Sequence, residues 1–135
     1  MLISLEKHPK NMQYYLDAYP YLMYYSIYQK IALLNNKIRG NARGGLYENI
    51  ISECLIKRGY TLYYYKPDNE HEIEFLIEKN GEVVPVEVKA GNSATPSLNN
   101  FIRDFEPNLV YKLIGGRNGK VGVKVTLPHY MVMFI

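Results

Sequence analysis

A single cysteine, Cys54, stands in the 135 residues, and tryptophan is absent. One cysteine excludes an internal disulfide framework and a multi-cysteine zinc site. The apolar runs are only a few residues long, too short for a helix that crosses a bilayer. The opening residues, MLISLEKHPKNMQYY, hold neither the apolar stretch nor the small-residue cleavage site of a secretory signal. Charge of one sign is also scarce. The net charge is +3, which permits an anionic partner but lacks the clustered basic stripe of a dedicated nucleic-acid binder. There is no internal repeat and no low-complexity tract. These absences point to a cytoplasmic domain with no membrane partner.

Hydrophobic residues make up 47% of the chain, enough for a packed core and too many for a disordered one. Tyrosine is conspicuous, with 14 copies, and half of them fall between Tyr14 and Tyr28. Two regions differ in character. Residues 1–43 form a Tyr-rich segment whose apolar positions Tyr21, Tyr24, Tyr25, Tyr28, Ile31 and Ala32 have helical spacing. The segment either covers the sheet of the second region or presents a sticky face to a missing neighbour or a second copy, as in a homodimer. It is also the natural place for a remnant of a longer protein.

Residues 44–135 are sharply punctuated. After a Gly/Asn/Arg loop over Gly40–Gly45, the spacing of Leu46, Ile50, Ile51, Cys54 and Leu55 predicts an amphipathic helix over Leu46–Arg58 with Gly59 as its C-cap. Thr61–Lys66 reads as a strand. His71–Lys79 and Glu82–Ala90 read as two strands joined at Asn80-Gly81, a strong two-residue hairpin signal. Ser97 is placed to cap a helix over Leu98–Phe105, which stops before Pro107. Asn108–Ile114, Gly122–Val125 and His129–Ile135 read as further strands. The order suits an α/β domain, a mixed sheet flanked by helices.

The hairpin carries the chemistry. With Asn80 and Gly81 in the turn, partner numbers sum to 161, so Glu74 faces Glu87 and Glu72 faces Lys89. Alternation puts these four on one face and Ile73, Phe75, Ile77, Val84, Val86 and Val88 on the other. Opposed carboxylates repel and need a compensating charge. A hard divalent cation, Mg²⁺ or Mn²⁺, takes carboxylate oxygens as ligands, and a nearby lysine adds charge for phosphodiester hydrolysis. Glu48 is a third carboxylate. Its position in the first turn of the predicted helix also has a plain explanation, a favourable interaction with the helix dipole. Equally, Glu and Lys on a hairpin face can be ordinary solvated pairs. His71 sits at the strand entrance, most simply as a polar loop residue, and Cys54 as a small core hydrophobe. Arg39 and Arg43, just before the Glu48 helix, are the best placed basic residues for phosphate contacts.

These residues resemble the PD-(D/E)XK nuclease superfamily, whose common core runs helix, three strands, helix, strand. The stretch from GLYENIISECLIKRGY through EIEF and PVEVKAG to LPHYMVMFI is similar to domain-of-unknown-function family 4143 over Gly44–Ile135. That domain usually forms the C-terminal part of prokaryotic AAA-type ATPases. The resemblance implies a restriction-endonuclease-like fold. It also implies Glu48 as the first-motif acid, Glu74 as the second, and Glu87 with Lys89 as the third motif, with Mg²⁺ or Mn²⁺ on Glu74 and Glu87. DNA and an AAA-type ATPase domain missing from this chain are the implied partners. Two functions follow: a metal-dependent nuclease or nuclease-like DNA-binding domain, or a catalytically inactive interaction module accessory to the ATPase. The chain departs from the family pattern at position 74, where Asp is commoner and Glu extends the carboxylate by a methylene. It carries no phosphate loop either, since GGRNGKV has the wrong glycine spacing and Val121 follows Lys120.

Overall fold

In the computed structural model the described residues are 6–7 and 41–135, and they build one mixed sheet with a helix on each face. The elements are β1 (Glu6–Lys7), α1 (Asn41–Lys57), β2 (Tyr63–Tyr65), β3 (Ile73–Lys79), β4 (Glu82–Val88), α2 (Pro96–Phe105), β5 (Val110–Ile114), β6 (Gly119–Val121) and β7 (Lys124–Pro128), followed by a 3₁₀-helix over His129–Phe134. The strand order is β1-β2-β3-β4-β5-β7-β6. β4–β5 and β5–β7 are parallel and the other pairs antiparallel. The Tyr14–Tyr28 cluster and the helix predicted around it lie outside the described residues.

The β3–β4 hairpin organises the sheet. Asn80 and Gly81 both take positive φ, 56° and 80°, as a two-residue primed turn requires. The register runs from Lys79↔Glu82 to Phe75↔Val86, the expected sum of 161 throughout. Phe75, Ile77, Val84, Val86 and Val88 form one apolar face, packed with Ile51 and Leu55 of α1, with Val132 of the 3₁₀-helix and with Ile135, which follows it. The opposite face is covered by α2, whose Leu98 and Phe101 pack against Ile73, Leu76 and Val110.

Ile73 is a correction. It was expected beside Phe75 but belongs to the α2 side with Leu76. The cause is the β2–β3 register, Tyr63↔Leu76 against Tyr65↔Ile73. Two steps on β2 are matched by three on β3, so β3 bulges between Ile73 and Leu76. An extra residue breaks the alternation on which face assignments depend.

Other boundaries moved for local reasons. α1 begins at Asn41, so the loop expected over Gly40–Gly45 is largely helical, and Gly44 and Gly45 lie inside the helix. Ile50, expected on its apolar face, is exposed. Gly59 does end the region, with φ +91° and its N–H donating to Ile56 O. α2 starts two residues earlier than Leu98, with Pro96 in its first turn and Thr95 as N-cap. Pro lacks the N–H that a helix start leaves unused anyway. Ser97, expected to cap, instead accepts the Glu72 N–H at 3.2 Å. The last two predicted strands also shift: β7 is Lys124–Pro128, and His129–Ile135 is no strand. Pairing with β5 ends at Ile114↔Pro128. Beyond it Val132 and Ile135 are buried at a spacing of three, which a tight helical turn satisfies and a strand does not. Ile135 O then accepts from Arg58 Nη2 at 3.0 Å and Tyr60 Oη at 3.2 Å, which ties the 3₁₀-helix to the end of α1.

Leu55 has no solvent exposure and bridges α1 to the sheet. Leu55→Ala is expected to lower stability by about 2–5 kcal/mol, read as a fall in the urea midpoint with an unchanged slope.

Candidate functional site

Where β3 and β4 run out of paired residues, Glu74, Glu87 and Lys89 come together. Glu74 lies in the β3 bulge, and bulges commonly re-aim a side chain next to a site. Glu87 lies one residue beyond the last β3 pair and is already registered to Lys112 of β5. Lys89 follows β4 directly. Its Nζ donates to Glu74 Oε1 at 3.3 Å and lies 2.6 Å from Glu87 Oε1. The Val88 N–H donates to Glu74 Oε2 at 3.3 Å. One ammonium thus spans two carboxylates. The expected Glu72–Lys89 pair does not form. Glu72 precedes β3 and pairs instead with Lys66 at 3.5 Å.

Burial separates the two carboxylates. The Glu87 side chain is 2% exposed and that of Glu74 17%. Glu87 Oε2 is buried with no hydrogen-bond partner. Its neighbour Glu74 is also an acceptor, so it helps only when Glu87 holds a proton to donate. Burial, then the Glu74 charge, push the Glu87 carboxyl up to about 8, against the pull of Lys89. Burial lowers the Lys89 pKa, but its bond to Glu87 and the charges of Glu74 and Glu87 outweigh it and hold it above its ordinary value.

Glu48 sits on α1 close enough to this group for the charges of Glu74, Lys89 and Glu72 to act on it. Its carboxyl is raised, first by burial and then by Glu74. The dipole explanation no longer applies. α1 starts at Asn41, so Glu48 lies beyond the first turn, which contains no acidic residue, and the dipole effect fades within that turn. The Glu48 carboxylate leans back along the helix, with Oε1 3.9 Å from where a Gly44 Cβ would stand.

Arg39 lies outside the described residues. Arg43 falls in the first turn of α1 rather than before it, and only its backbone is described. His71 turns to its own loop, with Nδ1 2.9 Å from Asp68 Oδ2. Cys54 packs half-buried on the main core, and burial raises its thiol pKa. Among the described residues no three His, Cys, Asp or Glu side chains converge into a metal-holding group. No helix among them is long and apolar enough to cross a membrane.

Three neighbours escaped the sequence. Lys112 is buried beside Glu87 and donates to Asn92 Oδ1 at 3.0 Å and Ser93 O at 2.6 Å, holding the loop after Lys89. His129 bonds the Lys89 carbonyl at 2.8 Å. Tyr47 stacks on His129 with ring centroids 4.0 Å apart. The tyrosine's place beside Glu48 was the one available signal. The other two contacts depend on strands β5 and β7, far along the chain.

The raised Glu87 carboxyl has a consequence for stability. An unfolded Glu releases its proton near pH ~4.3, whereas native Glu87 keeps it to about 8. Between those values the native state binds more protons, so this group makes stability fall as pH rises through the window, with no further loss above it. Glu87→Gln removes this contribution. Denaturant melts at pH 5, 6.5 and 8 are expected to show the variant gaining on the wild type as pH increases.

The chain matches none of the curated proteins and none of the solved structures. A family model described as "Domain of unknown function (DUF4143)" matches residues 43–122, which hold Glu48, Glu74, Glu87 and Lys89. Spanning more than half of the sequence, that match places this α/β chain in the DUF4143 family.

Proposed function

We propose that the chain is a nuclease-like domain that hydrolyses phosphodiester bonds in DNA with a divalent cation, Mg²⁺ or Mn²⁺. The observation that carries this reading is the buried Glu87 carboxylate with one oxygen unpartnered, beside a second carboxylate and under a lysine. Element order supports it, since α1, three strands, α2 and β5 follow the helix, three strands, helix, strand sequence of the PD-(D/E)XK core. The restriction-endonuclease-like fold is part of the same proposal.

The residues fit a hard cation. Glu74 and Glu87 would hold it, and both offer the oxygen ligands that such ions prefer. When bound, it supplies Lewis-acid charge to a phosphodiester. The protein's own groups have distinct tasks. Glu87, kept out of water, holds a proton near neutral pH until a cation replaces it. Lys89, ionised between the carboxylates, presents positive charge to an incoming phosphate. Glu48, partly buried and beside Glu74, orients a water. Arg39 and Arg43 would contact the backbone of the nucleic acid.

A second reading has its own observation. Lys89 bridges both carboxylates and neutralises part of their charge, which suits a catalytically inactive interaction module serving an AAA-type ATPase.

Calorimetry separates the two. Under the first reading, wild type binds Mn²⁺ and releases a proton near pH 7, seen as a dependence of the heat on buffer ionisation enthalpy. Glu87→Ala loses both the binding and the proton release, and also any cleavage of plasmid DNA. Absence of binding by the wild type sinks the nuclease reading and leaves the interaction module.

A further inference from the structure

Lys89 stands outside β4, yet both of its backbone polar groups are held. Its N–H donates to Leu113 O on β5 at 2.9 Å. Its carbonyl accepts from His129 Nε2 at 2.8 Å. A carbonyl can only accept, so Nε2 carries the proton in this contact. His129 is itself well placed to hold still. It follows Pro128, which ends the β7 pairing with β5 and has φ −58°. Its ring lies on Tyr47 at 17° between planes, and Tyr47 immediately precedes Glu48. The turn beside it is tight as well. A Cβ on Gly115 would stand 3.0 Å from Ala90 O and 3.7 Å from His129 Cε1, so a side chain there would press on the Lys89–Ala90 turn.

One imidazole therefore touches the two separate pieces of chain that carry Lys89 and Glu48. We infer that His129 is a positioning residue. Through its Nε2–H it fixes the Lys89 backbone so that the ammonium reaches both Glu74 and Glu87, and through Tyr47 it sets α1, with Glu48, against that point. The inference rests on reading Lys89 and Glu48 as parts of one site, but its geometry needs neither cation nor nucleic acid. A lysine side chain reaching two acceptors is sensitive to its root, because a shift of about 1 Å takes a hydrogen bond out of range.

The test reads the lysine directly. Full-length protein is pulsed with an amine-acetylating reagent and each lysine is followed by peptide mass spectrometry. Lys57, with its side chain 66% exposed, is the reference, and Lys112, 8% exposed, monitors the integrity of the sheet. His129→Phe keeps an aromatic ring for Tyr47 but has no donor. His129→Gln keeps an amide donor. The expected result is several-fold faster labelling of Lys89 in His129→Phe, a rate close to wild type in His129→Gln, and no change at Lys112 in either. Unchanged Lys89 labelling in His129→Phe overturns the inference. So does a joint rise of Lys89 and Lys112 in both variants, because His129 would then support the fold and not the lysine. The cation experiment fails independently: a wild type that binds no Mn²⁺ but shows this labelling pattern keeps His129 in its role and loses the nuclease reading.

Discussion

A carboxylate buried next to another carboxylate is the constraint around which the rest of the structure is arranged. At effective interior dielectrics of about 20, like charges ~4 Å apart cost about 4 kcal/mol, and losing the partner of a buried charge costs about 3–5 kcal/mol. Glu87 avoids this in two ways. It takes up a proton from water more readily than an ordinary glutamate, up to about 8, and it shares Lys89 with Glu74. Glu48 adds a third acid nearby. Lys89 spans two of these acids and Lys112 lies buried beside Glu87, yet burial and mutual repulsion still raise the Glu87 and Glu48 carboxyls.

The scaffold holds that arrangement from several sides. Strand alternation puts Glu87 and Lys89 on the same face, and the β3 bulge brings in Glu74. The parallel partner β5 supplies Lys112 beside Glu87 and takes the Lys89 N–H. The lysine of β5 in turn fastens the loop that leads to α2. The core beneath, from Ile51 and Leu55 of α1 to Val86 and Val88 of β4, is continuous with the 3₁₀-helix. Helix, sheet and chain end are thus one packed body behind the acids.

Much of this was legible along the chain. The Asn80-Gly81 turn dictated the hairpin register because both residues tolerate positive φ. The period-two apolar pattern then identified the face that meets α1. Counting put Glu72, Glu74, Glu87 and Lys89 on one face, but Glu72 pairs with Lys66 and the remaining three come together. Errors arose where distant residues overrule local preference. A bulge set by β2 turned Ile73 to the other face. Glycines 44 and 45, weak helix formers, were nonetheless built into α1, which moved Glu48 out of the first turn and changed the physical meaning of its position. His129–Ile135 has strand-like residues, but Val132 and Ile135 are buried at a spacing of three, so it coiled onto α1.

Turn chemistry and side-chain periodicity act between near neighbours, so the sequence by itself determined the hairpin and its register, whereas a bulge set by β2 brought Glu74 to Lys89 and left Glu72 to Lys66. Burial, shared partners and electrostatic coupling arise only when remote segments meet. The tertiary structure alone therefore decided that Glu87 is the proton-retaining carboxylate, that Lys89 spans two acids, and that a histidine forty residues downstream grips the lysine by its backbone.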